Sequence, residues 1–285
     1  MKRAALTIAV IGLMAIRVHG QEIRPGPDGF SIRDGWPAKK VVATGLVGLT
    51  ILATGVDFYY SWWKDAERPF SFYTDNWFNG SQRGLDKLGH FIGPHVHFKS
   101  IQNLMRWGGY EPSTALWWAA GLAAFNAVEI EIGDGFTQYG FDYQDLLFGL
   151  AGVSYGVLQT EVPAFQNLTF KFSYYSNTGF SSPASFIQDY DAMTVWASVN
   201  VHNLLPDPLR KYWPSFINLA FGFGTTEWTT RREFILGLDL NLEGVNTGNE
   251  EILFAQKMLN LMHIPGPAFV WTEHEPPRSE WFYVR

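Results

Sequence analysis

Residues 141–174 read FDYQDLLFGLAGVSYGVLQTEVPAFQNLTFKFSY, and the hydrophobic period changes inside this stretch. Up to Thr160, glycines at 149, 152 and 156 recur three and four residues apart among apolar side chains, which is helical spacing. Pro163 closes that pattern. From Leu168 onward, Leu168, Phe170, Phe172 and Tyr174 alternate with Thr169, Lys171 and Ser173, the period of two of a strand. The chain is therefore expected to be α+β, with helices before residue 165 and an antiparallel sheet after it.

Working outward, the N-terminal side predicts about four apolar helices. They fall at 41–60, 83–107, 112–132 and 141–160, joined by short turns rich in Gly, Asn and Asp. Residues 41–60 carry one charge, Asp57, and are long enough to cross a bilayer. On the C-terminal side, alternation at 193–201 and 234–242 and an apolar run at 216–224 predict three more strands. Four strands are too few for a membrane barrel, which needs roughly eight. Residues 250–262 read as a late helix stopped by Pro265 and Pro267, and the tail through Trp281 as irregular.

The first 20 residues place Lys2-Arg3 before a short apolar run and end at Val18-His19-Gly20, the order of a secretory signal with cleavage after Gly20. Residues 21–36 are rich in Pro and Gly and read as an extended arm. The organisation predicted is thus a signal peptide at 1–20, a helical domain at 21–165 and a β-rich region at 166–285. Export is expected to place the mature protein outside the cytoplasm.

Composition narrows the classes. Charged residues are 17% of the 285, against about 25% in a typical soluble domain, and aromatics are 16%, so a disordered chain is excluded. A mean hydropathy of −0.05 disfavours a multi-pass transporter. Formal net charge is −6, and −9 without Lys2, Arg3 and Arg17 of the leader. An acidic chain with no basic run has no electrostatic footprint for nucleic acid. With no cysteine, disulfides, thiolate metal sites, a Cys nucleophile and a Cys-linked lipid anchor are all excluded. The partner implied by the apolar stretches and the Trp62-Trp63 and Trp117-Trp118 pairs is membrane lipid.

Charges inside apolar helices are costly and need a reason. Asp86 and His90 are four apart and share a helix face, with Lys87 beside them. Glu131 and Asp134 close the third helix, and Asp142 and Asp145 open the fourth. Antiparallel neighbours bring the start of one helix beside the end of the other, so Asp86, His90, Glu131, Asp134 and Asp145 are predicted to meet. Such a cluster offers a general acid and base around an imidazole. Asp86, His90, Glu131 and Asp134 are also ligand types for a divalent cation, the one cofactor this sequence suggests.

The blocks Asp86-Lys87-Leu88-Gly89-His90-Phe91, Glu131-x-x-Asp134-Gly135-Phe136 and Asp145 with Gly149 and Gly152 resemble the YfiM-like family of predicted periplasmic proteins, a domain of unknown function. The similarity extends to Lys171-Phe172-Ser173-Tyr174, Ser198-Val199-Asn200, Asn218-Leu219-Ala220-Phe221-Gly222, and Lys257-Met258 through Ile264-Pro265. The helical core is also similar to the VanZ-like membrane family, which shares an Asp-Lys-x-x-His opening and a later Glu…Asp pattern. In the family pattern an Asn stands where this chain has Gly149, and an aromatic where it has His95; His95 and His97 would add two polar groups to the cluster. The resemblance implies relatives, a helical core and an envelope location, but no reaction.

Two functional readings follow. One is an exported, membrane-associated envelope protein with a structural or assembly role, its polar cluster a buried network. The other is a membrane-proximal enzyme acting on a lipid or cell-wall precursor through Asp86, His90, Glu131, Asp134 and Asp145. The enzyme needs the cluster convergent and facing a cleft; the scaffold needs it satisfied and closed.

Overall fold

A computed structural model describes residues 38–66, 68–80, 82–176 and 188–284; the predicted signal at 1–20 and the arm at 21–36 lie outside them. The long helices are α1 (Ala38–Phe58), continued by a π-helical turn at Tyr59–Trp63, α2 (Leu85–Trp107), α3 (Pro112–Asp134) and α4 (Tyr143–Glu161). Three shorter ones follow: α5 (Val201–Leu204), α6 (Asp207–Arg210) and α7 (Glu250–Leu259). The α+β class holds, with an antiparallel sheet in the C-terminal part.

The expectation of four apolar helices does not hold. Among the described residues only Ala38–Trp63 and Pro112–Asp134 are long and apolar enough to cross a membrane. Helix α2 instead buries Lys87, His95 and Gln102, and α4 buries Gln144, Asp145 and Gln159. These polar side chains interrupt the apolar run because they serve contacts between helices.

Local signals explain the helix ends. Pro112 occupies the first turn of α3, where its missing N–H costs nothing. Asp142 caps α4, its Oδ1 accepting from Gln144 N at 2.8 Å. Gly84, at φ +90°, supplies the left-handed residue before α2. Pro94 inside α2 leaves the His90 carbonyl without its helical N–H partner.

The helical core joins Phe98, Ile101, Met105, Ala115, Leu116, Ala119, Ala123 and Val153, with Val47 of α1 against it. Glycines let α2 and α4 approach. A methyl at Gly152 would overlap the Phe91 carbonyl, and one at Gly156 the Phe98 ring. The remainder of α1 is poorly covered: 17% of its apolar window is buried, and Leu49 is 60% exposed.

Strands β1 (Phe72–Tyr73) and β2 (Phe141–Asp142) form a short parallel pair. The six others make one antiparallel meander in chain order: β3 (Leu168–Tyr174), β4 (Met193–Val199), β5 (Ile217–Thr226), β6 (Arg231–Leu240), β7 (Ala268–Thr272) and β8 (Arg278–Glu280). The tail expected to be irregular thus supplies two strands. Ala268-Phe269-Val270-Trp271-Thr272 hides its period of two because both faces are mostly apolar, and β8 is only three residues long.

Register places Phe172, Val195, Phe223, Phe234 and Trp271 in one row on one face. Over β3 and β4 that face packs on α2, joining Phe170, Phe172, Val195 and Phe223 to Leu85 and Ile92. The opposite face buries polar groups. Lys171 Nζ lies 2.7 Å from Asp239 Oδ2, and His263 Nδ1 lies 3.1 Å from Asp239 Oδ1. Ser198 donates to Asp239 at 2.6 Å, and Tyr283 and Arg278 each donate to Glu233 at 2.6 Å.

Gly152→Val is expected to cost about 1–3 kcal/mol or more, because the Phe91 backbone cannot yield to the new side chain. Gly121→Ala, which faces open space, is expected to be neutral or to stabilise by up to about 1 kcal/mol. Denaturant unfolding of the two purified variants beside the parent checks the contrast.

Candidate functional site

The start of α2, the end of α3 and the start of α4 converge on Lys87. This side chain is fully buried, and its Nζ lies 2.6 Å from Asp145 Oδ1, 3.1 Å from Asp142 Oδ2, 3.2 Å from Asp86 Oδ2 and 3.9 Å from Asp75 Oδ2. Burial opposes the charge on Lys87, but Asp145, Asp86 and Asp142 outweigh it and hold its pKa above the ordinary value. The loops are tied in as well: Asp75 N donates to Asp142 Oδ2 at 3.2 Å, and Asp142 N donates to Glu131 Oε2 at 3.1 Å.

His90 occupies the other side of the same carboxylates. Its Nε2 lies 3.6 Å from Asp86 Oδ1 and 3.7 Å from Asp145 Oδ2, the oxygens turned away from Lys87. Its Nδ1 lies 3.3 Å from Glu131 Oε1. Tyr190 donates to Asp86 Oδ1 at 2.5 Å, closing the cluster from the sheet side. Asp86, Glu131 and Asp145 therefore meet at one imidazole. Asp134 sits beside them, accepting from Trp63 Nε1 at 2.9 Å.

Burial alone would lower the pKa of His90, but Asp86, Asp145 and Glu131 outweigh it and hold it above 6.5. Glu131 is pushed up to about 8 by burial, with His90 opposing and Asp145 adding to the rise. Asp145 is pushed up to about 6 by burial and by Asp86, against His90 and Lys87. Burial also works to raise Asp86, but His90, Tyr190 and Lys87 bring it below the ordinary carboxylate value. Carboxyl groups with such different environments around one imidazole are the arrangement that general acid–base chemistry uses.

His95 does not join the cluster. It is buried, with its Nδ1 3.1 Å from the Gly152 carbonyl, and burial and Lys99 push it down to about 4. His97 hydrogen-bonds Asn126. The sequence places Lys87 beside Asp86 and His90 and puts Asp142 at the opening of the fourth helix, but it gives no sign of Asp75 or Tyr190. Tyr190 meets Asp86 across 104 residues of chain, and no local spacing announces that contact.

The cluster faces a cavity of about 1860 Å³ between α1, α2, α3 and the β3–β4 end of the sheet. Phe58, Ile92, Val96, Phe172 and Met193 supply apolar wall, while Asp86, His90, Glu131 and Asp145 line its polar part. A small-molecule site is typically about 300–1000 Å³, so this one has room for a long or branched molecule. A cation has a place too: one ligand atom each from Asp86, His90 and Asp145 lies within 4.8 Å of the others.

Residues 74–161 match the model of a family described as predicted periplasmic lipoproteins (DUF2279). The matched segment contains every residue of the cluster except Tyr190. No curated protein and no solved structure matches the chain.

The shifts fix a sign for stability against pH. Glu131 and Asp145 bind protons more tightly folded than unfolded, so their contribution is lost as pH rises from about 4 through their folded values of about 8 and about 6. His90, also raised, contributes fully below 6.5 and loses that as pH rises through its folded value. Melting temperature is therefore expected to fall between pH 5 and pH 8. Glu131→Gln, which cannot ionise, is expected to flatten most of that slope in a calorimetric pH series.

Proposed function

We propose that this is an exported, membrane-associated protein of the bacterial cell envelope, and that Asp86, His90, Glu131 and Asp145 are its working site. The site would act on an amphiphilic envelope molecule, a lipid or cell-wall precursor, by acid–base chemistry or with a divalent cation held by Asp86, His90 and Asp145. The observation that carries this reading is the two-sided cluster: Lys87 locks one set of carboxylate oxygens, while His90 presents the other set to a large, mostly apolar cavity. The description of the family matched over 74–161 supports a periplasmic place, as does the signal pattern in residues 1–20. The resemblances to the YfiM-like and VanZ-like families agree with it. This sequence has no cysteine to carry a lipid, so its hold on a membrane would rest on apolar surface, beginning with α1. Residues 21–165 would form the helical unit that carries the site, and 166–285 the β-rich unit that walls it.

A second reading is a structural or assembly role, with the cluster serving as a brace. Its support is Lys87, wholly buried and met by three carboxylates within 3.2 Å. The substitution His90→Ala separates the two. A working site predicts unchanged abundance and melting temperature with the phenotype of a deletion. A brace predicts about 1–3 kcal/mol of lost stability and a lower protein level. Elemental analysis of purified protein before and after chelation tests the cation: one divalent ion per chain in the parent and none in Asp86→Asn is the expected result.

A further inference from the structure

We infer that the outer face of the β5–β6–β7 sheet is immersed in the acyl-chain region of a lipid bilayer, so that the sheet as well as α1 holds the protein to the membrane. This rests on the membrane association proposed above and adds a second contact surface to it.

Register puts the face together. Ile217 pairs with Leu240, Leu219 with Leu238, Phe221 with Leu236 and Phe223 with Phe234; Leu236 and Phe234 then pair with Phe269 and Trp271. Directly opposed residues share a face, so these side chains form one surface. On β3 and β4 the same face is covered by α2. Phe223 of β5 packs there too, and beyond it the face opens: Phe221, Phe234, Leu238, Leu240, Phe269 and Trp271 are 37–59% exposed.

Three observations choose lipid as the occupant. First, the polarity is inverted. Four residues of these strands are charged: Glu233 and Asp239 point to the other face and are buried, and Arg231 and Arg232 stand together at the hairpin end, while the open face is uncharged from Ile217 to Phe223. A sheet with one face in water shows the opposite arrangement. Second, the uncharged band has a definite height and a polar border. Seven residues at about 3.4 Å each give roughly 20 Å, near the roughly 25 Å apolar band of lipid-facing sheets. At the hairpin end the band stops at Arg232 and Glu273, which pair at 3.0 Å, with Trp271 just inside and Trp228, 92% exposed, at the tip. Tryptophan beside a charged rim is the pattern of a membrane–water boundary. Third, α1 carries a matching surface, with Val42, Leu46, Leu49, Leu52 and Val56 exposed along a helical stripe. Open backbone is limited where lipid would meet it. Phe172 N donates to Leu261 O at 3.2 Å and His263 N to Phe172 O at 2.8 Å, covering part of the β3 edge, and the far edge strand is three residues long.

The cysteine-free chain allows a direct test. Single substitutions Phe221→Cys, Phe234→Cys and Phe269→Cys report on the sheet, Leu49→Cys on α1, and Thr247→Cys on an exposed loop. Each full-length protein is purified, spin-labelled and reconstituted into phosphatidylethanolamine–phosphatidylglycerol liposomes. Collision rates are then read with oxygen, which concentrates in acyl chains, and with a water-soluble nickel chelate. Any variant that loses the parent's circular dichroism is set aside, and three sheet positions leave the test standing. The expected result is a several-fold higher oxygen-to-nickel ratio at the sheet positions and at Leu49→Cys than at Thr247→Cys. Sheet positions open to nickel would mean water and overturn the inference. Sheet positions shielded from both reagents would mean a protein contact, a second copy included, and overturn it equally. A lipid-like Leu49→Cys beside either of those results rejects the sheet alone, and a water-like Leu49→Cys rejects the membrane association on which it rests.

Discussion

One buried ammonium organises the N-terminal half. Lys87 Nζ gathers Asp86 from its own helix, Asp142 and Asp145 from the start of α4, and Asp75 from the preceding loop. A lone charge in such a place would cost several kcal/mol, and it is tolerable only because its partners are close and themselves fixed. The fixing is visible. Asp142 caps α4 through Gln144 N, and its own N–H donates to Glu131 at the end of α3. Three helix termini are thereby set relative to one another before His90 is considered. The imidazole then meets carboxylates whose outer oxygens have been aimed by the contacts behind them, which is how an inner layer of polar contacts orients an outer one.

Much of this was legible from the chain. The spacing of Asp86 and His90, the antiparallel relation of α2 and α3, and the cap at Asp142 follow from helical geometry and end preferences. The three- and four-residue spacing of Gly149, Gly152 and Gly156 puts them on one side of α4, and a side chain at Gly152 would meet the Phe91 carbonyl there. What sequence reading missed has long-range causes. Tyr190 reaches Asp86 from the β3–β4 connection, and Asp75 reaches Lys87 from a loop without periodicity. His95, five residues after His90, lies off the face that His90 shares with His97. Its side chain reaches the α4 backbone at Gly152, a contact that helix spacing alone does not name. Strand β7 was lost because apolar side chains on both faces erase the alternation by which a strand is recognised.

Both halves of the molecule sequester their charges in the same way. In the helical half the acids surround Lys87 and His90; in the sheet, Asp239 is met by Lys171, Ser198 and His263, and Glu233 by Arg278 and Tyr283. The buried charges of both halves are thus held in pairs and networks, while α1 and the open sheet face carry apolar side chains outward. Buried ionic networks of this kind do not stabilise a fold strongly by themselves. Their value lies in specifying one arrangement, because any rearrangement strands a charge. In the lipid setting proposed above, apolar surface would give no preference for one packing over another, and the polar interior would be left to select the native helix and strand register.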